Sequence, residues 1–343
     1  MTRTISWVAF ILSMLAPAGA SEPVRVVATL PDLGALAQVV GGDLVSVTVL
    51  AKPTEDPHFV ESRPSYIKAL SAADLYVQSG LEMEAGYASV LLTGARNPRI
   101  LAGQPGWVDA SMAITPLDIP VGTVDRSMGD VHPAGNPHYL LDPLNGLAVA
   151  ALLRDRLSAL RPEAAPTFAA NYERFQQQLG DALVGPTLAR KYGAEKLARL
   201  HEHGKLLSFL QQQGDAAALG GWLAAMAPHH GARAVDDHPI WTYFARRFGL
   251  DIVGHLEPKP GVPPTTRHLQ EIVALMQAEH VPLLLAASYY DPRHAEFVAA
   301  QTGAQVVRMA NQVGARPGTD DYIGMINYDV EQVVGALKQK DAG

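Results

Sequence analysis

Short β-branched runs alternate with helix-forming stretches in two separate blocks of this chain, and no other feature narrows its fold as much. In the first block, residues 24–30 form an apolar run that Pro31 and Asp32 end, and a helical pattern covers 33–40. Residues 45–50 and 75–80 read as further strands, with a helix over 64–71 between them. The second block repeats the scheme, with strands at 232–235, 252–253, 281–286 and 305–309 and helices at 240–248, 266–278 and 292–301. Strands that alternate with helices predict mainly parallel sheets covered on both faces. The fold class is therefore α/β with two similar lobes. Between 142 and 227 the strand signal disappears, and residues 165–183 keep apolar positions at helical spacing. That stretch predicts a long helix leaving the first lobe, although it also fits the helical layer of the second. No short-period repeat points to a solenoid or propeller.

The N-terminus constrains the compartment. Arg3, an apolar run over 5–15 and the small residues Ala18 and Ala20 have the layout of a secretory signal, with cleavage expected after Ala20. The apolar run is shorter than the roughly 20 residues of a spanning helix. The chain has no cysteine, which removes disulfides, thiolate ligands and a lipid-modified cysteine after the signal. A free periplasmic protein is expected. A formal net charge of −7 argues against nucleic acid or an anionic membrane as partner, since both call for a basic surface. The expected division is a signal peptide over 1–20, a first lobe over 21–162, a linking helix with a helical insertion over 163–228 and a second lobe over 229–343.

With twelve histidines and no cysteine, imidazole is the one good soft metal ligand available. Ligands of open parallel sheets collect at the carboxyl ends of strands, so histidines that follow strands or lie in loops above them are the informative ones. His58 in Thr54-Glu55-Asp56-Pro57-His58, His138 in Gly135-Asn136-Pro137-His138 and His238 in Asp236-Asp237-His238-Pro239 qualify. Two of them follow proline, which fixes part of the backbone. Taken singly, each is as well read as a solvated loop residue. Three neutral imidazoles and one carboxylate would complete the tetrahedral shell that zinc favours, and this donor set suits Zn(II) better than Mn(II).

Several segments carry a resemblance that runs along the whole mature chain. They are Val26-Val27-Ala28-Thr29-Leu30-Pro31-Asp32-Leu33, Asp56-Pro57-His58 with Arg63-Pro64-Ser65, Asn136-Pro137-His138-Tyr139-Leu140-Leu141-Asp142-Pro143, and His238-Pro239-Ile240-Trp241 running on to Gly249-Leu250. In this order the chain resembles the metal-binding solute-binding proteins of zinc and manganese ABC importers. The resemblance implies two α/β lobes joined by a long rigid helix, with a metal site in the cleft between them. It puts His58, His138 and His238 on the family's histidine ligand positions, and it implies an ABC permease in the membrane as partner; a periplasmic metallochaperone is the other candidate partner, and a monomer is expected. The chain departs from the pattern where relatives commonly offer an aspartate after the last strand: here the stretch reads Met309-Ala310-Asn311-Gln312-Val313. Asp291 is the candidate to close the shell, and its competing role is to cap the helix that begins at Pro292. Asp320, Asp56 or a water molecule are the other candidates.

A loop with Asp130 and His132 precedes His138, and reads either as a metal-capturing segment or as a polar loop over the cleft. His201, His203, His229 and His230 read as surface residues. Asp251, Glu257, Lys259 and Arg267 read as solvated faces. The rival readings are a periplasmic metallochaperone or adhesin with the same site, and a zinc hydrolase. Against the hydrolase, no His-Glu-x-x-His helix and no Gly-x-Ser-x-Gly elbow occur in the chain.

Overall fold

The computed structural model describes residues 22–122, 129, 131–259 and 261–341, so the expected signal peptide and Asp130 lie outside the described residues. The first sheet is built from β1 (Val24–Ala28), β2 (Val45–Val49), β3 (Leu75–Gln78) and β4 (Trp107–Asp109), in the order β2-β1-β3-β4, all parallel. The second contains β5 (Arg233–Asp236), β6 (Asp251–His255), β7 (Leu283–Ala286) and β8 (Gln305–Arg308), in the order β6-β5-β7-β8, again all parallel. The two sheets thus share one topology. Their central strands are apolar nearly throughout because helices cover both faces: β7, Leu-Leu-Leu-Ala, is buried at every residue.

Helices α1 (Pro31–Gly41), α2 (Pro64–Ala72) and α3 (Ala88–Ala95) belong to the first lobe. From α4 (Pro143–Leu160) the chain enters α5 (Ala165–Val184), whose 20 residues span about 30 Å. The strand-free stretch continues through α6 (Pro186–Tyr192), α7 (Ala194–Glu202), α8 (Leu206–Gln213) and α9 (Gly221–Met226). The second lobe contributes α10 (Thr242–Phe248), α11 (Thr266–Ala278), α12 (Pro292–Thr302) and α13 (Tyr322–Asp341). Proline opens α1, α2, α4, α6 and α12 in their first turn, where its missing N–H costs nothing.

The lobes are tied together at several points. Helix α5 packs on α1, α4, α9 and α13, so the C-terminal helix reaches back to the first lobe. Gly146 on α4 makes room for it: a Cβ there would lie 2.1 Å from the Tyr322 hydroxyl, which donates to the Leu140 carbonyl at 2.5 Å. Arg247 of α10 donates to both oxygens of Asp142 at 2.8 Å and also pairs with Glu202 of α7. Further contacts join the loop after β8 to the first lobe: the Val313 N–H donates to Asp32 at 2.7 Å and the Gln312 amide to the Glu55 carbonyl at 3.1 Å.

Two expectations need correction. His201 is buried, 7% exposed, because it sits on the inner face of α7, 5.8 Å ring to ring from His230. Glu257 is also buried, at 9%, since the chain leaving β6 turns inward to a histidine partner.

Candidate metal centre

Each of the three loop histidines is held by its own neighbours. In Asp56-Pro57-His58, Asp56 Oδ1 accepts both the backbone N–H of His58, at 3.0 Å, and its ring Nδ1–H, at 2.8 Å. Asn136-Pro137-His138 repeats the arrangement: Asn136 Oδ1 accepts from the His138 backbone and from its Nδ1, both at 2.9 Å. The proline between fixes its own φ, so the acceptor two residues back meets the ring directly. His238 follows β5 and finds its acceptor elsewhere, in Glu257 Oε2 at 2.9 Å. Glu257 itself is fixed by the Gly261 N–H at 2.8 Å.

These partners set the tautomers. Carboxylates only accept, so Asp56 and Glu257 require the proton of His58 and His238 to sit on Nδ1. The Asn136 amide nitrogen donates to the Pro239 carbonyl at 2.6 Å and to Asp118 at 3.0 Å, which leaves its oxygen facing His138. All three Nε2 atoms therefore keep a lone pair, that of His58 facing the His132 ring, and each residue's ligand atom lies within 4.8 Å of the other two. The ring centroids are 5.3, 6.0 and 5.5 Å apart for the pairs 58–138, 58–238 and 138–238. His138 Nε2 is buried and has no hydrogen-bond partner, an orphaned lone pair of the kind a cation would satisfy.

The electrostatics suit a positive guest. Burial, reinforced by the neighbouring His58 and His238 rings, pushes His138 well below the usual imidazole range and His132 down to about 4. Burial pushes the Asp56 carboxyl up, but the hydrogen bonds from His58 outweigh it and hold the group below its ordinary value. Asp237, between the ligand loop and β7, accepts the Ala287 N–H at 3.0 Å, and burial raises its carboxyl to about 8. A cavity of about 150 Å³ opens onto the rings, lined by Asp118, His132, His138, His238 and Pro239 among others.

Asp291 is not brought to this cluster. It caps α12, accepting the Arg293 N–H at 3.0 Å, and also pairs with the Arg293 guanidinium, which holds its carboxyl far below the usual range. Asp56 stands behind His58 and not beside its Nε2, and Asp320 is exposed. His132 does arrive, with its Nε2 3.2 Å from that of His58. Glu257 was missed because nothing local to it signals a partner 19 residues back. A usable signal is its place just beyond the carboxyl end of β6, next to β5, which His238 follows.

The family model described as "Zinc-uptake complex component A periplasmic", ZnuA, matches residues 26–183 and 215–336. The chain is 25% identical over 313 residues to the high-affinity zinc uptake system protein ZnuA of Paracoccus denitrificans, covering 79% of this chain and 81% of that protein. It is 22% identical to the iron-binding protein YfeA of Yersinia pestis, covering 94% and 89%. A crystal structure of ZnuA superposes with a TM-score of 0.68 at 21% identity, covering 92% of this chain and 99% of that one.

Proposed function

Since this chain belongs to the ZnuA family, the periplasmic component A of zinc-uptake complexes, we propose that it captures Zn(II) between its lobes through His58, His138 and His238 and hands it to the membrane permease of an ABC importer. One observation carries this reading: three Nε2 lone pairs converge while each matching Nδ1 is committed to an acceptor. No ring has to change tautomer to accept an ion, and carboxylates behind two of them offset its charge. The nitrogen-rich set favours zinc over manganese, which is better served by oxygen. The ion is cargo and not a catalyst in this reading, because the carboxylates that touch the ligand rings, Asp56 and Glu257, are spent on Nδ1 atoms and do not face the ligand side as a base would. In this reading the receptor works in the periplasm, as the description of its family model has it, and no helix among the described residues is long and apolar enough to cross a membrane.

The test is zinc stoichiometry by elemental analysis with affinity by chelator competition. Alanine at His58, His138 or His238 lowers affinity at least about tenfold, the scale on which even a partner behind a ligand matters. Asp291→Ala leaves it unchanged. Wild-type stoichiometry and affinity in all three histidine variants would refute the site. Slower growth of a deletion strain under zinc starvation checks the import role.

A further inference from the structure

Three imidazoles leave one corner of a tetrahedral shell to fill. Where the resemblance implies a carboxylate, the stretch after β8 has no acid, and the Oδ1 of its Asn311 is taken by the Ser288 N–H at 3.1 Å and hydroxyl at 2.8 Å. His132 stands beside His58 instead, six residues before His138 on the same segment, and outside the group of three whose ligand atoms all lie within 4.8 Å of one another. Its ring stacks on that of His58 with centroids 5.2 Å apart, and the two Nε2 atoms are separated by 3.2 Å. Bonds of about 2.0 Å to a tetrahedral zinc set neighbouring nitrogens about 3.3 Å apart, so this spacing is that of two corners sharing one ion. The His58 proton is on Nδ1, against Asp56, and its Nε2 therefore turns a lone pair toward His132. The same cavity wall holds His132, His138 and His238.

We infer that His132 supplies the fourth ligand, so that the ion is held by imidazole alone. This rests on reading His58, His138 and His238 as the zinc site. A four-imidazole shell carries no charge of its own. The charge that balances the cation sits one bond further out, on Asp56 and Glu257. Such a shell discriminates more strongly against ions that need oxygen ligands than one closed by a carboxylate.

Two measurements on the full mature chain decide the point: X-ray absorption at the zinc edge, which counts imidazoles, and zinc affinity for the wild type, His132→Ala and Gln312→Ala. Gln312 is included because its Oε1 is buried without a partner near His138 and offers an amide oxygen as the rival corner. The expected result is four imidazoles in the wild type and three in His132→Ala. That variant keeps one zinc per chain with affinity reduced about 10- to 100-fold, and Gln312→Ala is close to wild type. Three imidazoles in both the wild type and His132→Ala, at equal affinity, would overturn the inference while leaving the receptor reading intact. So would a loss of affinity confined to Gln312→Ala. A wild type that binds no zinc removes the receptor reading itself, and this inference with it.

Discussion

At the residue scale, the binding power of an imidazole depends on what stands behind it. Glu257 is the outer partner of His238, and replacing it by alanine leaves the ring free to rotate and to change tautomer. Glu257→Ala is expected to lower zinc affinity about 10- to 100-fold with stoichiometry kept at one, as isothermal titration would show, and Glu257→Gln, which still offers an oxygen, should fall between. Much of the site is legible in the sequence because Asp56-Pro57-His58 and Asn136-Pro137-His138 are local devices: acceptor, rigid spacer and ligand lie within three residues. Glu257 and His132 were not legible as partners, since they meet His238 and His58 across 19 and 74 residues. Asp291 misled for a related reason. An aspartate before proline fits a cap and a ligand equally well, and here the Arg293 N–H and guanidinium take both its oxygens.

Elements were most legible where chemistry marks their ends. The helix expected over 266–278 is α11, and Thr265 caps it by accepting the His268 N–H. The strand β4 was not visible, because its three residues Trp107 to Asp109 are too few to show a pattern, and it pairs only along β3. Helix α13, Tyr322–Asp341, received no reading from the sequence beyond its place in the second lobe. The segment outside the family match, 184–214, comprises α6 to α8 and contributes Glu202 to the buried cluster of Arg247 and Asp142. Arg247→Met would leave two inward-facing carboxylates without their counter-charge. A loss of about 3–5 kcal/mol is expected in denaturant unfolding, because breaking a buried pair by removing one partner leaves the other uncompensated. A loss under about 1 kcal/mol would mean that the carboxylates reach solvent.

For the whole molecule, stability should depend on pH through the contact between lobes. Burial, against the weaker pull of the Val313 N–H, raises the Asp32 carboxyl to about 7. A group raised in the folded state contributes stability that is full below its unfolded value near 3.8 and is lost as pH rises through about 7. Asp32→Asn removes that loss while its amide oxygen can still accept from Val313. The variant is expected to gain on the wild type from pH 4 to pH 8, by on the order of a few kcal/mol at the alkaline end. Equal stability differences at both pH values would show that Asp32 does not titrate in this window. The His132 and His138 imidazoles, lowered chiefly by burial, act with the opposite sign: their contribution is present above pH 6.5 and fades in acid.

The cross-lobe bonds of Asp142 to Arg247, Asp32 to Val313 and Glu55 to Gln312 brace the two lobes against each other. A vice already set to the width of its workpiece grips fast, because little ordering remains to be done when the ion arrives. The same stiffness means that the vice does not slacken unaided. On the proposed reading, the work of prising it open would fall to whatever docks across the two jaws, and cargo discharge would be coupled to that encounter.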